Sequence, residues 1–296
     1  MNFIKLKYFN AVCQFQSISV AADFLHISQP SLSSAIKELE SEFGVSLFSR
    51  HYRGVSLTPE GQVLYDFSKD ILHRLEQVQD IMKDLGDGRK KLRLGVPPMI
   101  GSLILPHIYG DFLLHNRDVE LEITEGGRQS LVQKLSENYL DMVFLSHGGP
   151  LDSTYTTLLV TQLEIVCCAA KNHPITKYET ITPSLLQNTP LVLFKDSFFQ
   201  TEKIKEWFRG EQIVPNIILQ TEQLSAMQSM ITNNLAVGFM FRQMVDANPA
   251  LVTIPTIEPL YLNISLVWKK DAYFFYSMDK FKNYINENNP FLQTQK

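Results

Sequence analysis

The chain has 296 residues, more than one ordinary core of about 100 to 200 residues accommodates, so two or three domains are predicted. Its 45% hydrophobic and 20% charged residues exclude a disordered, fibrous or collagen-like chain. With 27 basic against 31 acidic side chains and a net charge of −4, a general nucleic-acid coat protein is excluded, and any nucleic-acid contact must be local.

The longest apolar runs, such as Leu235 to Phe241, stop well short of the roughly 18 to 20 residues that a bilayer crossing needs. The opening Met-Asn-Phe-Ile-Lys-Leu-Lys has no apolar signal region and no small-residue cleavage site, so a cytoplasmic protein with no membrane partner is expected. Three cysteines, Cys13, Cys167 and Cys168, give no disulfide framework and are read as small buried hydrophobes.

A first helix is predicted with Ile4, Tyr8, Val12 and Phe15 on one face. A short second helix follows, capped by Ser19 and burying Ala21, Ala22 and Leu25. Ser28 then caps a third helix from Gln29 to Phe43; Pro30 is tolerated in its first turn, where the missing N–H would have no intrahelical partner. Leu32, Ile36, Leu39 and Phe43 form its buried side, and Gly44 supplies the left-handed end. Between Leu47 and Leu57 the pattern becomes extended, with Arg50-His51-Tyr52-Arg53-Gly54 as a basic turn between two short strands, a wing.

Thr58-Pro59-Glu60 is a strong helix start. Along the long helix that follows, Leu64, Phe67, Ile71, Leu75, Val78, Met82 and Leu85 recur over 21 residues in six steps, or 3.5 per step. That is the coiled-coil period and marks a dimerisation seam; a stripe packed on its own domain is the alternative. Gly86-Asp87-Gly88-Arg89-Lys90-Lys91 is read as a flexible, charged hinge.

Beyond the hinge, short apolar runs alternate with helical stretches. Strands are predicted at Leu92 to Val96, Glu120 to Thr124, Met142 to Leu145, Glu164 to Ala170, Leu191 to Phe194, Ile217 to Gln220, Ala236 to Met240 and Ile264 to Trp268. This alternation implies doubly wound α/β units in two lobes. The last strand and a helix from about Ser277 to Asn288 are placed back on the first lobe, giving a hinge crossed twice. The expected domains are 1–58, a linker helix and hinge over 59–91, and 92–296, with lobe one about 92–161 plus 266–296 and lobe two about 162–265.

A short second helix, a turn His26-Ile27-Ser28-Gln29, an amphipathic third helix and a basic hairpin together describe a winged helix-turn-helix. On the third helix Pro30, Ser33, Ser34, Lys37 and Ser41 lie opposite the buried stripe. Short hydroxyl side chains allow close approach to a groove, and Gln29 can present a donor and an acceptor to adenine. Ser28 and Ser31 complete the candidate face at its start. Ser34-Ala35-Ile36-Lys37 has the S-x-x-K spacing of serine acyl-transfer enzymes, but neither partner motif of those enzymes is present. There is no H-E-x-x-H, no zinc-ligand cysteine pair and no glycine-rich nucleotide loop; no catalytic residue, metal or cofactor is therefore assigned.

The run Ser17-Ile18-Ser19-Val20-Ala21-Ala22, Leu25, Ser28-Gln29-Pro30-Ser31-Leu32-Ser33, Ile36, Leu39-Glu40, Gly44, Leu47-Phe48, Arg50 and Leu57-Thr58-Pro59-Glu60-Gly61 closely resembles the LysR-type transcriptional regulators. The resemblance continues less specifically through Glu125-Gly126-Gly127, Leu140-Asp141, His173-Pro174 and Ala236-Val237-Gly238. It implies a mixed fold: an all-α winged helix-turn-helix with a long linker helix, then a two-lobed α/β effector domain shaped like a periplasmic binding protein. The family's groove-reading positions fall on Gln29, Pro30, Ser33, Ser34 and Lys37, and its backbone or minor-groove contacts on Arg50 and Arg53. Many relatives carry arginine or glutamine where this chain has Ser34, so a long base-reading side chain is missing. Residues 1–91 hold 11 basic and 11 acidic side chains, so affinity is expected to rest on dimers and tetramers adding contacts.

The resemblance also implies a ligand pocket between the lobes, expected at Pro98, Met99, Ile100, Gly101, Ser102, Arg128, Gln129, Ser130, Ser146, Phe194 and Thr221. Strand-to-helix turns point N–H groups at such a cleft and favour an anion, a carboxylate above all. Arg128 is read either as a fork for that carboxylate or as a surface arginine paired with Glu125. The expected function is a ligand-responsive, sequence-specific DNA-binding regulator, a homodimer or homotetramer on a promoter site with an interrupted dyad, with RNA polymerase open as a further partner. A solute-binding or transport protein and an enzyme on the same two-lobed fold are the alternatives.

Overall fold

The structure, a computed structural model, describes residues 2–51, 54–87 and 90–288. The expected DNA contact Arg53 lies outside the described residues, as does the side chain of Arg50. The chain divides into two compact units, Met1–Gly86 and Asp87–Lys296.

In the first unit, α1 (Phe3–Phe15), α2 (Ile18–Phe24) and α3 (Gln29–Phe43) pack around Phe9, Val12, Ala21, Ala22, Leu32, Ile36 and Leu39. The face of α1 that is buried runs through Leu6, Phe9, Val12 and Cys13, while Ile4 is 53% exposed. Both faces of this helix carry apolar residues, and only packing on α2 and α3 selects one. Phe43 is likewise exposed, beyond the reach of that core. The cap of α2 is Ser17, not Ser19: Ser17 has an extended backbone and its Oγ accepts the Val20 N–H, whereas Ser19 lies inside the first turn. Ser28 caps α3 and Gly44 ends it in the left-handed region at φ 70°.

The wing is an antiparallel pair, β1 (Phe48–His51) and β2 (Gly54–Leu57). Two clamps fix it. The Glu40 carboxylate, on the last turns of α3, accepts the backbone N–H groups of Leu47 at 2.8 Å and Phe48 at 3.3 Å. Across the hairpin, the Val55 N–H donates to the Gln16 carbonyl at the end of α1. Gly54 makes that approach possible: its φ is +142°, and a Cβ there would sit 2.5 Å from the Gln16 oxygen. Thr58 Oγ1 then accepts the Gly61 N–H and donates to the Ser46 carbonyl, starting α4 (Pro59–Asp87). The helix continues through Gly86 and Asp87, and Lys91 already belongs to a strand; Gly88 and Arg89 of the expected hinge lie outside the described residues.

The second unit runs β3 (Lys91–Val96), α5 (Pro98–His107), a π-turn (Ile108–Phe112), α6 (Leu113–His115), β4 (Glu120–Glu125), α7 (Arg128–Ser136), β5 (Met142–His147) and β6 (Tyr155–Ala170). A 3₁₀ turn (Pro174–Lys177), α8 (Pro183–Leu186), β7 (Leu191–Phe194), α9 (Phe199–Gly210), β8 (Ile217–Thr221), α10 (Leu224–Thr232) and β9 (Val237–Phe241) follow. The chain closes with α11 (Arg242–Asp246), β10 (Leu251–Ile254), β11 (Leu260–Lys269) and α12 (Tyr276–Asn288). Among the described residues one sheet runs in the order β4-β3-β5-β11-β6-β9-β7-β8, with β10 also on β6. Parallel pairing of β3 with β4 and β5 builds lobe one, and parallel pairing of β7 with β8 and β9 builds lobe two. The antiparallel strands β6 and β11 run through both, with a register shift at Ile264/Ser265. β6 starts at Tyr155 rather than Glu164, because Tyr155 to Leu163 alternates partly buried and exposed residues instead of forming an apolar run. β10 was not anticipated. α12 returns to lobe one, where Ser277 donates to the Lys91 carbonyl and Phe281 packs edge-on to Phe112.

Candidate functional site

On α3 the candidate groove face is solvent-accessible, but its polar groups are not all free. Ser28 Oγ accepts the Ser31 N–H and shares a proton with Ser31 Oγ at 2.7 Å, so both hydroxyls serve the helix start. Ser34 Oγ donates to Glu38, whose carboxylate is paired with Lys5 at 2.9 Å. The Lys5 hydrogen bond holds the Glu38 carboxyl below its ordinary range. Gln29 is positioned by Ser19, whose Oγ donates to its Oε1 at 3.2 Å, leaving the amide NH₂ outward. Ser33 is half-buried beside the exposed Pro30 and Lys37, and no described carboxylate pairs with Lys37. Gln29 and Lys37 are thus the long side chains left to meet a groove.

Along α4 the seam is partly committed. Leu64 packs on the winged-helix core, so the stripe opens one step later than its spacing implied. Phe67, Val78, Met82 and Leu85 are 66%, 56%, 63% and 64% exposed, with Ile71 and Leu75 half-buried between them. An apolar row this exposed on one chain is the form a coiled-coil seam takes before its partner is added.

In the second unit, two pockets open between the lobes. One, of about 790 Å³, is lined by Pro98, Gly101, Ser102, Leu105, Tyr109 and Glu125 from lobe one and by Glu222, Gln223 and Leu224 from lobe two. The other, of about 380 Å³, is lined by Arg128, Gln129, Val132, Leu145 and Asp152 from lobe one and by Ser197, Phe199 and Glu202 from lobe two. Glu125 faces the first and Arg128 the second. Between them in sequence is Gly127, buried against lobe two; a Cβ there would lie 2.6 Å from Ser197 Oγ and 3.0 Å from the Ser197 carbonyl oxygen. Its φ of −74° suits any residue, so the glycine answers to space rather than to conformation.

Four helices begin at these pockets, and none of α5, α7, α9 and α10 has a side-chain cap. The 3₁₀ turn and α8, which line neither pocket, are capped by His173 and Thr182. The short α11 after β9 is also without a side-chain cap. Uncapped first-turn N–H groups attract anions. Arg128 forms no ion pair with Glu125; its guanidinium lies 5.1 Å from the centroid of the Phe199 ring, across the interlobe boundary.

Of the expected pocket residues, Pro98, Gly101, Ser102, Arg128 and Gln129 line the cleft. Met99, Ile100 and Phe194 do not: they are 2%, 1% and 1% exposed. The first two dock α5 on the sheet, and Phe194 stacks on Phe198. Ser146 is buried within β5 opposite Ile264. Ser130 lines a different pocket, with Thr124 of β4 and Gln133 and Lys134 of α7. Thr221 lines neither pocket; its hydroxyl accepts the Gln223 N–H at 3.0 Å. Leu105 and Tyr109 were missed, although they follow Gly101 at four-residue steps along α5 and the π-turn that continues it past Pro106. Leu145, Asp152, Phe199 and Glu202 carried no signal in the sequence, since their placement depends on how the lobes meet.

All three cysteines are buried. Burial pushes the Cys13 and Cys168 thiols up to about 12 and that of Cys167 well above its ordinary value, which makes them packing groups rather than nucleophiles. Among the described residues no group of three potential metal ligands comes together, and no helix is long and apolar enough to cross a membrane.

A winged helix-turn-helix followed by a long helix and a two-lobed α/β domain with a cleft is the build of a one-chain DNA-binding regulator with its own sensor. Residues 3–62 match the family model for the bacterial regulatory helix-turn-helix protein, lysR family, and residues 86–289 match the LysR substrate binding domain. The chain belongs to the LysR family of transcriptional regulators. It is 28% identical over 284 residues to the uncharacterized HTH-type transcriptional regulator YwbI of Bacillus subtilis, covering 92% of each chain. It is 27% identical over 240 residues to the HTH-type transcriptional activator CmpR of Synechocystis, covering 80% of this chain and 77% of that one. The fold matches full-length CbnR complexed with its target DNA at a TM-score of 0.73 and 21% identity, covering 97% of this chain and 99% of that chain. As a LysR-type DNA-binding regulator with an effector-binding domain, the chain is not an enzyme, and the S-x-x-K spacing falls on its exposed recognition helix.

Proposed function

We propose that the chain senses a small carboxylate-bearing metabolite in the cleft between its lobes and reads a promoter site with an interrupted dyad as a cytoplasmic homodimer or homotetramer, with RNA polymerase as a further partner. Arg128 carries the ligand reading. It stands at an uncapped helix start, inside an interlobe pocket, with its guanidinium held on Phe199 and in no ion pair among the described residues. A fork-shaped cation beside free N–H groups favours a carboxylate. The DNA reading is supported by the outward amide of Gln29 and the unpaired Lys37 on α3, and the oligomer by the exposed seam from Phe67 to Leu85.

The test is thermal melting of the full chain against small organic acids; a ligand at 100 times its Kd raises stability by about 2.7 kcal/mol. An Arg128→Ala chain that responds undiminished removes the arginine's role. On DNA, Gln29→Ala is expected to cost about 1–3 kcal/mol of discrimination at one base pair, whereas Arg53→Ala weakens all sequences alike and lowers the salt slope by about 1. Footprints unchanged by both substitutions overturn the groove assignment, and a monomer by light scattering overturns the seam.

A further inference from the structure

The smaller cleft pocket has a charge pattern that a plain carboxylate does not answer. Its floor is apolar, formed by Val132, Leu145 and Leu151, with the rings of Tyr155 and Phe199 beside them. Four charged groups stand around it: Arg128 and three acids, Asp152, Asp196 and Glu202. Asp196 is neutralised within the protein, by Lys205 at 2.6 Å and by the Gln220 amide at 2.8 Å. The other two acids are not. Asp152 accepts the N–H and hydroxyl of Thr154 on a single oxygen, Oδ1, and no described cation pairs with it or with Glu202. Arg128 forms an ion pair with neither; its guanidinium lies 5.1 Å from the centroid of the Phe199 ring. One cation and two anions therefore share a pocket of about 380 Å³ without pairing among themselves.

Each simple ligand leaves part of this pattern unanswered. A monocarboxylate satisfies Arg128 and the start of α7 but brings a third negative charge beside Asp152 and Glu202. An amine satisfies the acids but faces Arg128. Resting on the cleft being a ligand site, we propose that the ligand is a small zwitterion with an apolar body, an amino acid or closely related amino-carboxylate. Its carboxylate meets Arg128 and the first-turn N–H groups of α7. Its ammonium meets Asp152 and Glu202, and its hydrocarbon part lies on Val132, Leu145 and Leu151. Arg128, Asp152 and the apolar floor come from lobe one, and Glu202 and Phe199 from lobe two, so such a ligand bridges the lobes.

The experiment takes the full-length protein and measures melting shifts and calorimetric affinities at pH 7.5 for the standard amino acids, each beside the acid lacking its amino group and the amine lacking its carboxylate. Phenylalanine, 3-phenylpropionate and phenethylamine form one such trio. At least one amino acid is expected to bind ten-fold or more tightly than either counterpart. Asp152→Asn with Glu202→Gln should collapse that preference over the acid to less than three-fold, and Arg128→Gln should collapse the preference over the amine. An acid that binds as well as its amino acid overturns the zwitterion and leaves the carboxylate site standing. An amine that binds as well overturns both the zwitterion and the carboxylate site, and a panel in which nothing binds overturns the cleft reading itself.

Discussion

In the winged-helix unit, Asn2, Ser17, Ser28 and Thr58 each place a side-chain oxygen on a first-turn N–H, whereas Pro97, Gly127, Phe198 and Gln223, which begin the four helices along the cleft, place none. Local rules are obeyed where the chain must present a fixed shape and relaxed where donors are left to something else. On the proposed function, the first unit meets DNA with side chains projecting from finished helices, and the second meets its ligand with the unfinished ends of helices and a few charges.

The comparison breaks most readily at the core of the first unit. Leu39→Ala removes a fully buried side chain of α3, and the cavity is expected to cost about 2–5 kcal/mol. Calorimetry of the full chain should show the winged-helix transition lowered and ligand binding retained. Loss of both together would mean that the units do not melt separately.

At the cleft, the expected effect is on closure rather than on folding. Gly127→Val places side-chain atoms where Ser197 now lies, an overpacking of about 1–3 kcal/mol against the approach of the lobes. It should weaken the ligand response while leaving DNA affinity without ligand unchanged; an undiminished response would show that the lobes need not meet there.

The capping contrast can be measured directly. Ser17→Ala is expected to cost about 1 kcal/mol, the loss of one N-cap. Gln223→Ala, at a helix start where the side chain caps nothing, should change stability by less than about 0.5 kcal/mol. Equal losses in chemical denaturation would erase the distinction between the two units.

The smallest effect is one of pH. The hydrogen bond from Lys280, followed by the Asp118 backbone and the Tyr276 hydroxyl, holds the Asp118 carboxyl below its ordinary range. A lowered folded value means stability that is present above the unfolded carboxylate range and lost as pH falls through the folded one. With the two side chains 28% and 38% exposed, screening limits this to a few tenths of a kcal/mol. Asp118→Asn should remove that part of the acid dependence, and an unchanged titration of melting temperature would mean that the pair contributes nothing.

The first unit was largely legible in the sequence because its signals are local. The cap at Ser28, the proline one position into α3, the glycine after it and the four-residue apolar spacing all act within a turn or two. Its errors arose where two local choices competed, as between Ser17 and Ser19 or between the two apolar faces of α1. The strands of the second unit were legible for the same reason, but the cleft was legible only on the opening turns of α5 and α7, at Pro98, Gly101, Ser102, Arg128 and Gln129. Met99, Ile100 and Phe194 had the right chemistry for an apolar wall and were taken by the core. Phe199 and Asp152 acquired their positions from the opposing lobe, a relation that no spacing along the chain encodes.

The strands β6 and β11 remain hydrogen-bonded from Leu260↔Ile165 to Lys269↔Tyr155, passing from one lobe into the other with only the shift at Ile264/Ser265. Because both strands run through both lobes, the ribbon they form ties the lobes together, and sliding one lobe past the other would have to distort it along its length. It yields to twist, and most easily at the irregular step, where the ladder is already interrupted. On the proposed function, closure on a ligand is expected mainly as a torsion about the ribbon axis. Such a torsion displaces atoms in proportion to their distance from that axis, least near the ligand and most at the outer edges of the sheet, β4 and β8.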